Sequence, residues 1–324
     1  MALTAVDVDT SAPASVVLQL PVFSEQTRLL VIAPHPDDET IATGLLIQRV
    51  RAAGGAVKIL LLTAGENNPW PQRWVERRLR IGSVDRQRWG RRRESELEQA
   101  LQRFDVPSSC LQKLNWPDLG ITDIVLQESH MATAMLAAAM AEFGPSIVAM
   151  PSIDDRHPDH GSAHVLTRLA LAGQVGKPLL LAYLIHGNAS LHRMTDVSGT
   201  AAQLTNKLDA LTAHQSQMAL SGKRMRRLGG RQECYDEVGP ATVKASGALP
   251  WQPSAWLQPR LRLSVADRSQ TQTWRWSEAP LRRDVDGTYH LAAMADTLDG
   301  PRFAKLACDL PSPWIFDHWG WREV

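Results

Sequence analysis

The stretch Leu29–Thr40, LLVIAPHPDDET, joins a continuous apolar run to a dense group of charged residues. The run Leu29–Ala33 is typical of a strand that is buried on both faces of a sheet. The group His35–Glu39 contains a histidine, two aspartates and a glutamate. Core packing gives no reason for charge at the end of a buried strand, because burying charge is costly. Chemistry does give a reason, so this stretch marks the start of both the fold and the site.

The chain continues as an alternation of apolar strands and amphipathic helices. Further strands are predicted at AVKILLLTAG, LQKLNW, SIVAMPS and PLLLAYLI. Helices are predicted at ETIATGLLIQRVRAAGG, QESHMATAMLAAAMAEFG, GSAHVLTRLALAG and TAAQLTNKLDALTAHQSQM, and a long Arg/Glu-rich helical region ends near LEQALQRFDV. Continuous apolar strands between helices indicate a mostly parallel sheet that is covered on both faces. The sequence therefore predicts an α/β fold of Rossmann-like, doubly wound type with right-handed crossovers.

Three regions of the chain differ in composition and in the periodicity of their apolar residues. Residues 1–27 predict a loose N-terminal arm, and residues 28–235 predict the α/β domain. Residues 236–324 show short alternating segments and hold seven of the eleven tryptophans, which predicts a smaller β-rich C-terminal part. Those tryptophans either pack in a small core or stack on sugar rings, and both interpretations stay open.

Composition excludes several classes of protein. The formal net charge of +1 gives no global field that would indicate nucleic-acid binding. There is no apolar stretch long enough for an integral membrane span and no basic, apolar leader, so we expect a cytoplasmic protein. The three cysteines, Cys110, Cys234 and Cys308, are far apart and form no CxxC pair, which argues against a disulfide framework and a cysteine-based zinc site.

A second acidic histidine cluster, DDRHPDH at Asp154–His160, follows the fourth predicted strand as HPDDE follows the first. The carboxyl ends of parallel strands lie at one edge of a sheet, so the two clusters are expected to meet. His35, Asp38 and His160 would supply two imidazoles and one carboxylate, a set that suits zinc with one position open for water.

The remaining residues of these two clusters suit the other steps of amide hydrolysis. Asp37 is placed to act as general base, and His157 to donate a hydrogen bond to the developing oxyanion. Asp159, two residues after His157, is predicted to keep the His157 imidazole protonated. Glu39 and Asp155 are interpreted as loop or outer groups, and His164 as a packing residue, although its spacing from His160 also suits a metal.

These motifs resemble the PIG-L/LmbE-like family of zinc-dependent N-acetylglucosaminyl deacetylases. Its A-H-P-D-D-E motif corresponds to APHPDDE, with one extra proline before His35, and its H-P-D-H motif is intact at residues 157–160. Weaker marks follow in order: TAGE after the second strand, R-x-x-E at residues 93–96, WPDLG with a leucine inserted before its glycine, and KLDALTAHQSQ. The resemblance covers about residues 28–218.

The resemblance implies zinc on His35, Asp38 and His160, with other divalent metals left open. It also implies sugar-hydroxyl contacts from Arg93 and Asp118, and an approach of His214 to the site. The predicted function is hydrolysis of the acetamide of a GlcNAc-type sugar in a small glycoconjugate or polysaccharide precursor, which releases acetate and a free amine. The alternatives are a deacylase of another N-acyl amine, such as an antibiotic, and a non-catalytic carbohydrate-binding protein. A homo-oligomer stays open.

The segment from Arg73 to Arg93 holds nine arginines, and its first part, within PWPQRWVERRLR, has no counterpart in the family pattern. One interpretation is recognition of a phosphate, because the guanidinium fork binds phosphate oxygens well. The other is a solvated helix face on which the arginines pair with nearby acidic residues. Nucleic-acid binding is not expected, since no nucleic-acid module can be identified in the chain.

Overall fold

A computed structural model describes residues 20–174, 176–187, 194–239, 247–292, 300–310 and 315–324. Most of the predicted N-terminal arm, and Trp314 of the tryptophan-rich part, lie outside the described residues.

The centre of the molecule is a sheet of seven described strands in the order β3-β2-β1-β4-β5-β7-β6. The strands are β1 (Arg28–Ala33), β2 (Ala56–Thr63), β3 (Leu111–Trp116), β4 (Ile147–Pro151), β5 (Leu179–Tyr183), β6 (Met194–Val197) and β7 (Glu233–Glu237). The first five pair in parallel, whereas β7 pairs antiparallel with both β5 and β6. The predicted mostly parallel α/β sheet is confirmed. Because β1 lies between β2 and β4, the strand order reverses there, and sites in such sheets form at that switch point.

Helices cover both faces of this sheet. They are α1 (Asp38–Ala52), α2 (Pro69–Glu76), α3 (Ser83–Gln102), α4 (Ile121–Gln127), α5 (Ser129–Phe143), α6 (Pro158–Leu171), α7 (Ala201–Thr212) and α8 (Gln215–Gly229). Strand β1 shows why its sequence is continuously apolar. Leu29, Val31 and Ala33 pack into the core with α1, α3, α7 and α8, while Leu30 and Ile32 pack into the core with α4, α5 and α6.

Two of the predicted helices are divided in the structure. The Arg/Glu-rich region forms α2 and α3, because Asn68 caps the start of α2 and the chain turns before Gly82 at the start of α3. The helix predicted across residues 200–218 ends at Thr212, and α8 starts at Gln215 after His214, whose ψ of 56° is not helical. The apolar period continues across that break, so periodicity alone did not reveal it.

The C-terminal part is β-rich, as predicted. A four-stranded antiparallel sheet has the order β13-β12-β8-β9, and β10 pairs with β11. These strands are β8 (Leu261–Ala266), β9 (Thr271–Arg275), β10 (Leu281–Arg283), β11 (Tyr289–Leu291), β12 (Phe303–Cys308) and β13 (Trp321–Glu323). The boundary proposed after residue 235 falls inside β7, which belongs to the central sheet.

This C-terminal sheet packs directly on the α/β layer. Phe303 and Trp321 are buried in the same core as α6, and Trp321 donates a hydrogen bond from Nε1 to Ser162 Oγ (3.0 Å). Trp251 and Trp276 are buried in a separate small core, which favours packing for these tryptophans. Among the described helices, none is both long and apolar enough to cross a bilayer.

Candidate active site

The two acidic histidine clusters meet at the switch point of the sheet. HPDDE follows β1, DDRHPDH follows β4, and these strands are parallel neighbours. The rings of His35 and His160 are stacked with centroids 5.3 Å apart, and the ring of His157 lies 4.7 Å from that of His35. The structure thus brings the three histidines together, although more than a hundred residues separate the motifs.

Asp38 lies between two imidazoles. Its Oδ2 is 3.2 Å from His35 Nδ1 and 3.2 Å from His160 Nε2. The second nitrogen of each ring faces an outer carboxylate: His35 Nε2 is 3.3 Å from both Asp118 and Asp159, and His160 Nδ1 is 3.1 Å from Asp155. Metal-binding histidines usually show this arrangement, in which an outer carboxylate fixes the ring and its tautomer.

The donor set fits a divalent metal. His160 Nε2 is buried and has no hydrogen-bond partner among the described residues, although it faces Asp38. Three groups of side chains bring ligand atoms within 4.8 Å of one another, namely His35/His157/His160, Asp38/His160/His186 and His35/Asp118/Asp159. Imidazole nitrogens with a carboxylate oxygen suit zinc and its neighbours in the first transition row. The set of His35, Asp38 and His160 remains our preferred ligand set, because only there are both outer nitrogens held by carboxylates.

The charges of this cluster depend strongly on one another. Burial alone would lower the pKa of His160, but Asp155 and Asp38 outweigh it and raise that pKa to about 10. Burial alone would raise the pKa of Asp38, but the two neighbouring imidazoles bring it well below its ordinary value. A carboxylate whose pKa is lowered in this way stays ionised and available as a ligand.

Asp37 lies at the opening of the site with an unusual backbone. Its φ of 119° is far from the ordinary range for a residue with a side chain, and its N–H donates to Glu39 Oε2 (3.0 Å). Burial raises the pKa of Asp37 to about 6, with Arg93 opposing part of that shift. A carboxyl group with a pKa near neutrality suits a general base.

His157 caps α6 and faces the cavity. Its Nδ1 accepts the backbone N–H of Asp159 (3.3 Å), which leaves the ring proton of the neutral imidazole on Nε2. Burial, together with the neighbouring imidazoles, lowers the pKa of His157 well below its ordinary value. His157 is therefore a neutral hydrogen-bond donor in this environment.

The carboxylate of Asp159 has a different place from the predicted one. It accepts hydrogen bonds from the backbone N–H groups of Leu119 (2.7 Å) and Ile121 (3.1 Å) and also contacts His35. These bonds hold the WPDLG loop, where Leu119 has a left-handed φ of 63°. The expectation that Asp159 keeps His157 protonated is not supported, because its oxygens face that loop and because the pKa of His157 is lowered.

Arg93 and Asp118 both line the cavity, and both also support it. Arg93 donates to the carbonyls of Gly65 (2.7 Å) and Pro36 (2.7 Å) and contacts Asp37 Oδ2 at 3.2 Å. Asp118 accepts the N–H of Asn67 (2.7 Å). Their predicted sugar contacts stay predictions, but the structure gives Arg93 a clear positioning role.

The position of Arg93 explains why the TAGE motif has a glycine at residue 65. A Cβ on Gly65, which has a φ of +63°, would lie 1.8 Å from Arg93 Nη1. Only glycine admits both that backbone conformation and that approach.

His214 does not reach the described wall of the cavity. It is buried under α1, where its Nε2 lies 3.2 Å from Thr40 Oγ1 and 3.4 Å from Glu39 Oε1. The predicted substrate contact is therefore not supported. Glu39 in turn accepts the N–H of Asp37, so this glutamate connects His214 to the site. The structure agrees with the packing role predicted for His164, because this residue is buried and its Nδ1 is hydrogen-bonded to the Pro151 carbonyl.

Sequence reasoning missed His186 and Arg224. The guanidinium of Arg224 donates to His186 Nδ1 (2.8 Å), and the His186 ring lies 5.0 Å from that of His160. Burial lowers the pKa of His186 to about 4. His186 follows β5, the next strand along the same edge, so the strand-end rule could have found it.

The cavity above these groups has a volume of about 170 Å³. Its lining combines polar residues described above with a group of apolar residues, namely Ile41, Ile185, Met225, Leu228, Ile315 and Phe316. The last two come from the C-terminal part, so this part contributes to the site with an aromatic ring that is not one of its tryptophans.

Comparisons with known proteins agree with this geometry. Residues 30–171 match the family model described as PIG-L: GlcNAc-PI de-N-acetylase. A 1D-myo-inositol 2-acetamido-2-deoxy-alpha-D-glucopyranoside deacetylase from Mycolicibacterium vanbaalenii is 30% identical over 52% of this chain and 62% of its own length. The protein of the same description from Mycolicibacterium gilvum is 32% identical over 45% of this chain and 55% of its own. The chain thus spans less than two thirds of these relatives.

Solved structures show the same fold. The N,N'-diacetylchitobiose deacetylase from Pyrococcus horikoshii matches with a TM-score of 0.51 and 17% identity over 65% of this chain and 84% of that one. A deacetylase of the teicoplanin biosynthetic pathway matches with a TM-score of 0.53 and 18% identity over 67% of this chain and 100% of that one. At these identities the likeness concerns the fold.

Proposed function

We propose that this chain, whose residues 30–171 match the PIG-L family model, is a metal-dependent N-deacetylase. Its proposed substrate is the acetamide of a GlcNAc-type sugar in a small glycoconjugate or polysaccharide precursor, and its products are acetate and the free amine. The observation that supports this most is the position of Asp38 between two imidazoles whose outer nitrogens are held by carboxylates. The relatives described as deacetylases of an acetamido sugar support the same substrate class.

In this proposal His35, Asp38 and His160 hold zinc, which when bound lowers the pKa of water and polarises the amide carbonyl. Asp37, at the opening beside them, accepts a proton from the attacking water and returns it to the leaving nitrogen. Its pKa of about 6 suits both transfers near neutral pH. His157 donates from Nε2 to the oxygen that gains negative charge, and it does so as a neutral imidazole. Arg93 keeps Asp37 in place through the Pro36 carbonyl.

The apolar side of the cavity favours a second candidate. Ile185, Met225, Leu228 and Phe316 give a wall that suits an acyl group longer than acetyl, or an apolar group linked to the sugar. A panel of N-acyl glucosamines with acyl chains of increasing length, assayed for free amine, separates the two candidates. Fastest turnover of the acetyl compound supports the deacetylase, and fastest turnover of a longer one supports the broader deacylase.

The decisive variants separate metal binding from chemistry. Replacing both His35 and His160 by alanine is expected to remove bound metal and amide hydrolysis together. Asp37→Asn is expected to keep the metal while turnover falls by about 10²–10⁴-fold, since asparagine tolerates the backbone but cannot accept the proton. Asp154→Asn, at an exposed position nearby, is the matched control and should keep both properties.

Two outcomes would contradict the proposal. Full metal-dependent hydrolysis by the double histidine variant would show that the ligand set is wrong. Metal and sugar binding without amine release by the unaltered chain would show a carbohydrate-binding protein.

A further inference from the structure

Two segments beside the site carry a strong excess of positive charge. Residues 70–92 contain eight arginines and only two acidic residues, and residues 215–231 contain five basic residues and no acidic one. The formal net charge of the whole chain is only +1. The excess of positive charge therefore lies in these two segments, and the rest of the chain has a negative formal net charge.

The structure brings these two segments together, because α2 packs against α8. The turn between α2 and α3 is held by ion pairs, with Arg88 on Glu76 (2.6 Å) and Arg78 on Asp85 (2.7 Å). These pairs use both acidic residues of the first segment. We call the exposed side chains of residues 70–86 and 220–231 the basic face.

Many arginines and a lysine of the basic face are exposed, and the described part of the chain shows no acidic partner for them. They are Arg77, Arg80, Arg86, Lys223, Arg226 and Arg227. The pairing with acidic neighbours that was predicted for residues 73–93 is present for Arg78, Arg88 and Arg92, but the described structure shows none for Arg77, Arg80 and Arg86. Unpaired positive charges that share one surface attract an anionic partner.

Large apolar side chains are exposed among these charges. Trp70 and Trp74, one helical turn apart on α2, are 63% and 66% exposed, and Leu79 in the following turn is 88% exposed. Val84 on α3 and Leu220 on α8 are exposed as well. Neighbouring aromatic and aliphatic side chains that protrude between basic ones are typical of surfaces that insert into the interface of a bilayer.

The basic face also borders the opening of the active-site cavity. Asn68, directly before α2, lines the cavity, as do Ser221 and Arg224 of α8. A partner that covers the basic face would therefore lie beside the entrance used by the substrate.

We propose that the basic face docks this protein on an anionic lipid membrane. The arginines and the lysine contact the headgroups, and Trp70, Trp74 and Leu79 enter the boundary between headgroups and acyl chains. Two alternatives explain less. A two-fold contact with a second copy would place like charges against each other. A nucleic acid would use the arginines but gives no reason for an exposed leucine at the tip of the turn.

The test is sedimentation of the full chain with vesicles, and it requires no enzymatic activity. We expect binding to vesicles of equal parts phosphatidylcholine and phosphatidylglycerol, little binding to phosphatidylcholine alone, and weaker binding at high salt. The variant R77Q/R80Q/R86Q should bind about 100-fold more weakly, since each basic side chain at an anionic surface contributes about fivefold. The variant W70S/W74S should bind roughly tenfold more weakly and lose the blue shift of tryptophan fluorescence on vesicles.

Matched controls come from the C-terminal part. Trp256 is 76% exposed, so W256S removes an equally exposed tryptophan away from the basic face. The variant R260Q/R275Q/R282Q removes three exposed arginines of the same C-terminal part, outside the basic face. Both controls should bind vesicles as the unaltered chain does.

Three outcomes would overturn the proposal. The first is equal binding to neutral and anionic vesicles, or to neither. The second is an equal effect of the control variants. The third is binding to single-stranded DNA or self-association that depends on the arginines while vesicle binding is absent. A chain that docks on vesicles but shows no deacetylase activity would leave this proposal standing and contradict only the proposed function.

Discussion

Replacing Asp155 by asparagine tests how the site is held. The carboxylate of Asp155 has four contacts: its Oδ2 faces His160 Nδ1 (3.1 Å) and accepts the N–H groups of Ile185 and His186 (both 3.0 Å), and its Oδ1 accepts the N–H of His157 (2.9 Å). Asp155 itself does not line the cavity, although His157, Ile185 and His186, whose N–H groups it accepts, do. Its removal therefore changes the support of a proposed ligand, His160, and of the His157 backbone, without replacing any proposed reacting group.

The magnitude follows from those contacts. The amide oxygen of an asparagine can take the place of Oδ2 and keep its three partners. The asparagine NH₂ group then faces the backbone N–H of His157, and these two donors cannot form a hydrogen bond with each other. Leaving one buried backbone N–H unpaired and weakening the charge-assisted bonds costs about 1–3 kcal/mol of folding stability. Losing the carboxylate that orients a ligand histidine weakens metal affinity by about 10–100-fold.

Two measurements check this prediction. Urea unfolding in the presence of a chelator gives the stability change without a contribution from metal binding. Competition with a coloured chelator gives the zinc affinity directly. Asp154→Asn is the control, because Asp154 is exposed, and its surface ion pair with Arg322 (2.9 Å) contributes at most about 1 kcal/mol. A D155N variant with unchanged zinc affinity would refute the supporting role assigned to this carboxylate.

Three further predictions concern buried contacts away from the metal ligands. Gly65→Ala should displace the Arg93 guanidinium, because the added Cβ would lie only 1.8 Å from Arg93 Nη1. Steady-state kinetics should then show turnover of an N-acetyl sugar lowered at least tenfold. Lys207→Met should cost about 3–5 kcal/mol in urea unfolding, because it leaves the buried carboxylate of Glu233, now 2.6 Å from the lysine nitrogen, without its counter-ion. His164→Asn should make stability less sensitive to acid. Burial, with a nearby arginine, lowers the pKa of His164 to about 3. Below the ordinary histidine pKa of about 6.5, the unfolded chain therefore binds a proton at this residue that the folded chain does not. The stability of the folded chain then falls as the pH falls below about 6.5, by about 2 kcal/mol at pH 5.

Each of these three has its own control or contrary result. Gly144 has a φ of +61° with open space around it, so Gly144→Ala carries the same backbone strain without a clash and should keep turnover. The double variant K207M/E233L should recover much of the stability that K207M loses, and failure to recover it would point to packing rather than charge. If H164N and the unaltered chain lose the same stability between pH 7 and pH 5, then His164 is not the group that binds the proton.

The sequence predicted the sheet and the meeting of the two motifs for one physical reason. A strand that is buried on both faces must be apolar throughout, and Leu29–Ala33 divides its side chains between two cores. Once β1 and β4 are recognised as parallel strands, their carboxyl ends must lie at one edge. The meeting of HPDD and HPDH then follows from chain direction.

The contacts of Asp159 and His214 could not be predicted in the same way. Asp159 lies only two residues after His157 in sequence, but α6 begins there, and the Asp159 carboxylate accepts the backbone N–H groups of Leu119 and Ile121. His214 lies at a break between helices that periodicity does not reveal, and it ends under α1 beside Glu39. The contribution of Phe316 depends on how the C-terminal sheet packs on α6, which no local pattern encodes.

The buried acids around the site share one feature that connects its chemistry to its loops. Asp159 accepts two backbone N–H groups of one loop, and Asp155 accepts those of Ile185 and His186 in another. Each of them also contacts a histidine proposed as a metal ligand. Buried carboxylates need such donors, because burial without them is costly. The same bonds fix the loops that form the cavity wall. Ligand orientation and cavity shape are therefore coupled, and a change in either loop should alter metal affinity even when no ligand is replaced.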